Sequence, residues 1–131
     1  MTHPVMPAGG GKTSTGLDQN LAGALAYLVG PITGILFLVL EKENRFVRFH
    51  AMQSTILGVA WIAVSIVLSL LSGALLFIPV IGWIVSLLVS FGLGVLGLLC
   101  WLLLMWKAFQ GEEWEFPGVG GLARKQIGGG S

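Results

Sequence analysis

The stretch AMQSTILGVAWIAVSIVLSLLSGALLFIPVIGWIVSLLVSFGLGVLGLLCWLLLMW, residues 51–106, decides the fold, because it holds no Asp, Glu, Lys or Arg. At 1.5 Å rise, about 20 apolar helical residues cross a bilayer core of about 30 Å. The block is too long for one crossing and suits two with a turn between them. The turn is legible in Phe77-Ile78-Pro79-Val80-Ile81-Gly82-Trp83. Proline disfavours helix in the residue before it, and a glycine follows within three positions. The apolar runs are continuous and lack the period-two alternation of a membrane barrel.

A second charge-free block covers residues 19–40, and Leu21–Leu40 has the length of one more crossing. The expected architecture is therefore an all-α integral membrane protein with three transmembrane helices, near 19–40, 46–77 and 81–109. These form one domain over 17–110. A Gly/Pro/Thr-rich disordered tail (1–16) precedes it, and a short amphipathic cytoplasmic tail (111–131) follows, ending in a flexible Gly128-Gly129-Gly130-Ser131. Residues 1–16 have no apolar signal-peptide core, so the first span is expected to direct insertion. Of the 131 residues, 55% are apolar and 10% charged, against roughly 25% charged in a soluble domain. Soluble helices need charged outer faces, which these blocks do not offer. An ordinary soluble enzyme is excluded, and a net charge of +1 gives no electrostatic reason for a nucleic-acid partner.

Lys and Arg counts set orientation in membranes. With three spans, Lys42, Arg45, Arg48, Lys107, Arg124 and Lys125 share a side, against Lys12 on the other. The expectation is an N-terminus outside and a C-terminus in the cytoplasm of a prokaryotic plasma membrane, with Trp83 and Trp106 as interfacial anchors.

The densest polar information lies in Glu41-Lys42-Glu43-Asn44-Arg45-Phe46-Val47-Arg48-Phe49-His50-Ala51-Met52-Gln53-Ser54. At 100° per residue Arg45, Arg48, Phe49 and Met52 share one face, and Phe46, His50 and Gln53 an adjacent one. Arg45, Arg48, Phe49, His50 and Gln53 are the candidates for binding anionic lipid headgroups or a protein partner, since guanidinium matches phosphate in a planar, bidentate way. A depth-fixing interfacial collar is the plainer reading of the same residues. Glu41 stands four positions before Arg45, an ion-pair spacing if helix reaches that far. Glu112 and Glu113 are expected to pair with Arg45 and Arg48.

Ala22, Ala26, Gly30 and Gly34 put a small residue at every fourth position, the pattern that lets helices approach closely in lipid. Similar stripes occur at Ser65/Ser69/Gly73 and Ser86/Ser90/Gly94. They suit packing within the chain or a homo-oligomer seam. Pro31 cannot donate to the carbonyl of Tyr27, which predicts a kink, with Thr33 or a neighbouring helix satisfying the freed group. Thr15-x-x-Asp18 reads as a helix start.

The chemistry-bearing motifs are sparse. Gly11-Lys12-Thr13 is not a phosphate loop, because Met6 stands where the first glycine is required. One cysteine (Cys100) and two histidines (His3, His50) do not make a metal site, and no cofactor is expected. His50 with Gln53 lacks a carboxylate or thiol partner for acid–base work.

The runs Leu25-Ala26-Tyr27-Leu28-x-Gly30-x-Ile32-Thr33-Gly34, Glu41-Lys42-Glu43-Asn44-x-Phe46-Val47-Arg48-Phe49-His50-Ala51-x-Gln53-Ser54, Ile78-Pro79-x-Ile81-Gly82-Trp83 and Lys107-Ala108-x-Gln110-Gly111-Glu112 resemble a family of small uncharacterised prokaryotic membrane proteins. That family is similar to the Tic-twenty component of the chloroplast protein translocon. The resemblance implies an all-helical multi-pass protein and a distant link to protein translocation. The expected role is structural, assembly- or translocation-related and not enzymatic, acting through the Arg/His face on lipid or another membrane protein. An oligomeric channel or small-solute transporter is the rival.

Overall fold

Asp18 opens the first helix by accepting the Asn20 amide at 2.9 Å, which satisfies one of the free N–H groups at a helix start. The computed structural model describes residues 12–127, and the expectations for residues 1–11 and 128–131 lie outside it. The described helices are α1 (Gln19–Leu25), α2 (Pro31–Leu40), α3 (Arg45–Leu75), α4 (Ile81–Phe109) and α5 (Gly120–Gln126). Asn44 caps α3, its side chain accepting from Val47 N at 3.1 Å.

The predicted continuous helix over 19–40 is two helices. Pro31 has no N–H to extend α1, and Gly30 adopts φ +59 and ψ −128, a conformation open essentially to glycine alone. The break is closed by side chains. Thr33 Oγ1 donates to Ala26 O at 3.0 Å and accepts from Val29 N at 3.1 Å, while Ser54 Oγ donates to Gly30 O at 2.9 Å. What the sequence reads as a kink is a full reversal of the chain.

The reversal folds α1 and α2 into a hairpin against the first half of α3. Gly23 of α1 lies beside Phe46 and His50, Gly34 of α2 beside Ala51 and Thr55, and Pro31 at the tip against Gly58. Ala22, Ala26, Phe37, Phe46, Val47 and Ala51 form the core between α1, α2 and α3. On the other side of α1, Ala24 and Tyr27 pack with Leu104 and Ala108 of α4. Beyond Gly58, α3 and α4 run on as a pair through the turn that Pro79 and Gly82 shape. At Gly82 any Cβ would enter the Leu75 carbonyl, so only glycine fits.

Among the described residues two helices, α3 and α4, are long and apolar enough to cross a membrane, and their most apolar stretches are almost wholly unburied. The expected third crossing has no such helix, because α2 has 10 residues and returns to the end from which α1 starts. Among the described residues, the segment before α1 lies at the same end of the helices as the 41–48 segment, where a single continuous crossing over 19–40 would separate the two. Asn44 Nδ2 donates to Lys12 O at 2.9 Å, and Ser14 N donates to the Glu41 carboxylate at 2.8 Å. Lys12 therefore lies with the 41–48 segment, and Ser14 is held against the Glu41 carboxylate. The tail leaving α4 comes to the same end, where Glu112 meets His50.

Candidate functional site at the base of the hairpin

Every candidate in the 45–53 run starts α3, and the structure turns most of them inward. Phe49, His50 and Gln53 are fully buried. Phe46, His50 and Gln53 do share a face, which points into the junction of hairpin, α3 and tail. Tyr27, the single tyrosine, enters this junction from the end of α1.

The junction is one connected hydrogen-bond network. Gln53 Nε2 donates to Tyr27 Oη at 2.7 Å and to Trp114 O at 3.1 Å. Its Oε1 accepts from Phe116 N at 2.9 Å. Tyr27 Oη and His50 Nδ1 are 2.7 Å apart, and His50 Nε2 lies 2.8 Å from Glu112 O. A carbonyl can only accept, so Nε2 carries the ring proton, and Nδ1 accepts from the tyrosine hydroxyl in the neutral ring. Tyr27, Phe46 and Phe49 all meet the imidazole edge-on. Trp101 Nε1 donates to Tyr27 O at 2.7 Å, tying α4 to the hairpin tip.

A second polar cluster closes the open end of the hairpin. The buried Glu41 carboxylate accepts from Ser14 N, Ser14 Oγ, Glu43 N and Asn44 N. Burial opposes its ionisation, yet these four donors outweigh burial and hold its pKa below the ordinary carboxylate value. The i, i+4 pairing of Glu41 with Arg45 has no helix to carry it, since α3 begins at Arg45. Arg48 donates to Leu38 O at 3.0 Å and to Glu41 O at 2.7 Å, capping the last turn of α2. Asn44 Nδ2 also donates to Gln19 Oε1 at 2.9 Å.

The tail completes the base. Arg124 of α5 lies over the Phe49 ring, 4.3 Å from its centroid, and pairs with Glu113 at 2.8 Å and with Glu115. Glu112 pairs with Lys107 at 3.3 Å. Glu113 thus finds its arginine within the tail, where the sequence suggested the 45–48 pair. Of the five candidates for external binding, Arg45 presents an exposed side chain.

The small-residue stripe divides by role. Ala22, Ala26 and Gly34 pack, and a Cβ on Gly34 would lie 2.6 Å from Thr55 Oγ1 and 2.8 Å from Ala51 O. Gly30 makes the turn and has open space where a Cβ would go. Gly73 and Gly94 in the serine-containing stripes also face open space. Beneath the tip lies an apolar groove of about 580 Å³ between Pro31, Gly58, Trp61, Gly97 and Trp101. Among the described residues, no group of three or more His, Cys, Asp or Glu side chains is placed to hold a metal ion.

Sequence reasoning missed Glu41 as a buried anchor and Tyr27 and Arg124 as members of the junction. The signals were a lone tyrosine in an apolar run and a basic residue beyond a helix-breaking Pro117-Gly118.

Comparison with known proteins gives the chain its relatives. Residues 18–122 match the model of a family described as the magnetosome magnetite crystal formation protein family. A UPF0132 membrane protein of Methanocaldococcus jannaschii is 48% identical over 116 residues, 88% of this chain and 94% of that one. A UPF0132 membrane protein of Archaeoglobus fulgidus is 46% identical over 113 residues, 86% of this chain and 99% of that one. No solved structure matches the chain.

Proposed function

The chain belongs to this magnetosome magnetite crystal formation protein family, and from that premise we propose a non-catalytic membrane component that organises other proteins at a prokaryotic membrane. The observation that carries the reading is the junction itself. Tyr27, His50 and Gln53 direct their hydrogen bonds at one another and at the chain's own main chain in residues 112–116. That is the use of polar groups in a scaffold. The family's description concerns magnetite crystal formation. In this chain Arg124 engages Glu113 and Glu115, which favours organising other proteins over direct contact with mineral.

In the topology that goes with this reading, α3 and α4 cross the bilayer and the α1–α2 hairpin dips in from the cytoplasmic face. All seven Lys and Arg residues then fall at the base and none at the 76–80 turn, the asymmetry expected of a cytoplasmic end. The exposed Trp106 and Trp83 mark the two interfaces. Both ends of the described chain are cytoplasmic, and Arg45 and Lys42 face anionic headgroups.

Photo-crosslinkers at Lys42, Arg45 and Gln126, all exposed, test the reading in native membranes. Defined protein adducts are expected. The Tic-twenty-like residues would make the partner a translocation component, and the identity of the adduct decides that. Lipid adducts alone would remove the organising role.

A further inference from the structure

We propose that the molecule is a leaflet wedge, which favours and stabilises membrane curved convexly toward its charged base. The inference rests on the topology proposed above and extends it to the shape of the membrane itself. It follows from how unevenly the helices are distributed along α3.

At 1.5 Å per residue, the 31 residues of α3 are about 46 Å long and the 10 of α2 about 15 Å, half of a hydrocarbon core of about 30 Å. The hairpin tip meets α3 at Gly58, and among the described residues the apolar stretches of α3 and α4 beyond that level are left almost wholly unburied. One leaflet therefore holds four helical segments, α1, α2 and the adjoining halves of α3 and α4. The other leaflet holds two. Each segment is about 10 Å across, so the protein occupies far more area in the leaflet at its base.

The occupant of the hairpin's outer face is the acyl region of that leaflet. Leu28, Val29, Ile32, Ile35, Leu36, Val39 and Leu40 are all substantially exposed, Ile32 at 68%. The face carries no charge until Glu41 and Lys42, where it would leave hydrocarbon. Burying such a face in water-excluding lipid is favourable, and the length of α2 matches a single leaflet.

The wedge also resists flattening. Gly34 and Gly58 seat the hairpin directly on α3, the Glu41 cluster clamps its open end and Trp101 clamps its tip. Lipid must then adapt to the protein. Added area in one leaflet is relieved when that leaflet is the convex one, so the protein gains by moving to such membrane.

Tubes pulled from giant phosphatidylcholine vesicles test this with the full chain, carrying Cys100→Ser and a fluorophore on Gln126→Cys. An impermeant quencher separates molecules with the base outside from those with it inside. Base-outside molecules should show a tube-to-vesicle density ratio above one that rises as the tube narrows. Base-inside molecules should show a ratio below one. Equal ratios in the two orientations would overturn the wedge. The same quencher applied to a fluorophore on Ser14→Cys reports separately on topology. Quenching from the face opposite to position 126 would overturn the topology, and the wedge with it. The same face with orientation-independent sorting would overturn the wedge alone.

Discussion

Single atoms decide whether the hairpin seats. Alanine at Gly34 would drive its methyl against Thr55 Oγ1 and the Ala51 carbonyl. Overpacking of this kind costs roughly 1–3 kcal/mol, so Gly34→Ala should lower the thermal midpoint in detergent. Gly30→Ala meets no atom and is penalised by the backbone instead, at roughly 1–3 kcal/mol for a non-glycine residue in that conformation. Removing the clashing hydroxyl should partly rescue Gly34→Ala, as in Thr55→Ala, which leaves only main-chain atoms in the way. It should leave Gly30→Ala unrescued. Tyr27→Phe strands His50 Nδ1 and one Gln53 N–H in the interior, and each unsatisfied group costs about 1–3 kcal/mol. That variant should melt earlier and lose tryptic protection at Arg124, since Gln53 also holds Trp114 and Phe116. Unchanged cleavage would show that the tail docks without the network.

Elements were legible in the sequence where their cause is local. The turn after Pro79, the Asp18 start and the two long helices follow from chain-neighbour chemistry and apolar run length, and the structure has them. The hairpin was not legible, because an apolar run of 22 residues, 19–40, satisfies one crossing as well as two half-crossings. What separates the two is the set of partners for the broken backbone, Thr33 and the distant Ser54, and only the folded chain shows the second. The candidate site was half legible: the shared face of Phe46, His50 and Gln53 was read correctly, but spacing alone does not say whether a face looks inward. Glu41 shows how a charge at a loop becomes an anchor. Its pKa is lowered in the folded protein, so its stabilising effect is present above the ordinary carboxylate pKa and is lost as pH falls through the lower, folded value. Thermal stability should therefore decline on acidification below about pH 4, with loss of amide protection at Ser14. Glu41→Gln should start less stable and show a shallower decline over the same range.

For the molecule as a whole, the proposed topology makes a direct demand. In a Cys100→Ser background, cysteines at Ser14 and Gln126 should label from the same, cytoplasmic face. Labelling from opposite faces would restore three crossings. The channel alternative makes another demand, since ion passage needs a wet, polar-lined path. The two spans of one chain enclose none, and several copies around an axis would have only the serine stripes to line a pore, so reconstituted protein should give no flux above empty vesicles. Unitary conductance abolished by bulky residues at Ser65 or Ser86 would reverse that expectation. The junction further imposes an order on synthesis. His50 and Gln53 leave the ribosome some 60 residues before the carbonyls of Glu112 and Trp114 that complete them. Until then the start of α3 carries open polar groups, and a quality-control protease reading such groups would see an unfinished protein. A chain stopped after Gly111 should insert normally yet turn over rapidly, whereas one stopped after Ile127 should persist, as a pulse-chase in living cells would register.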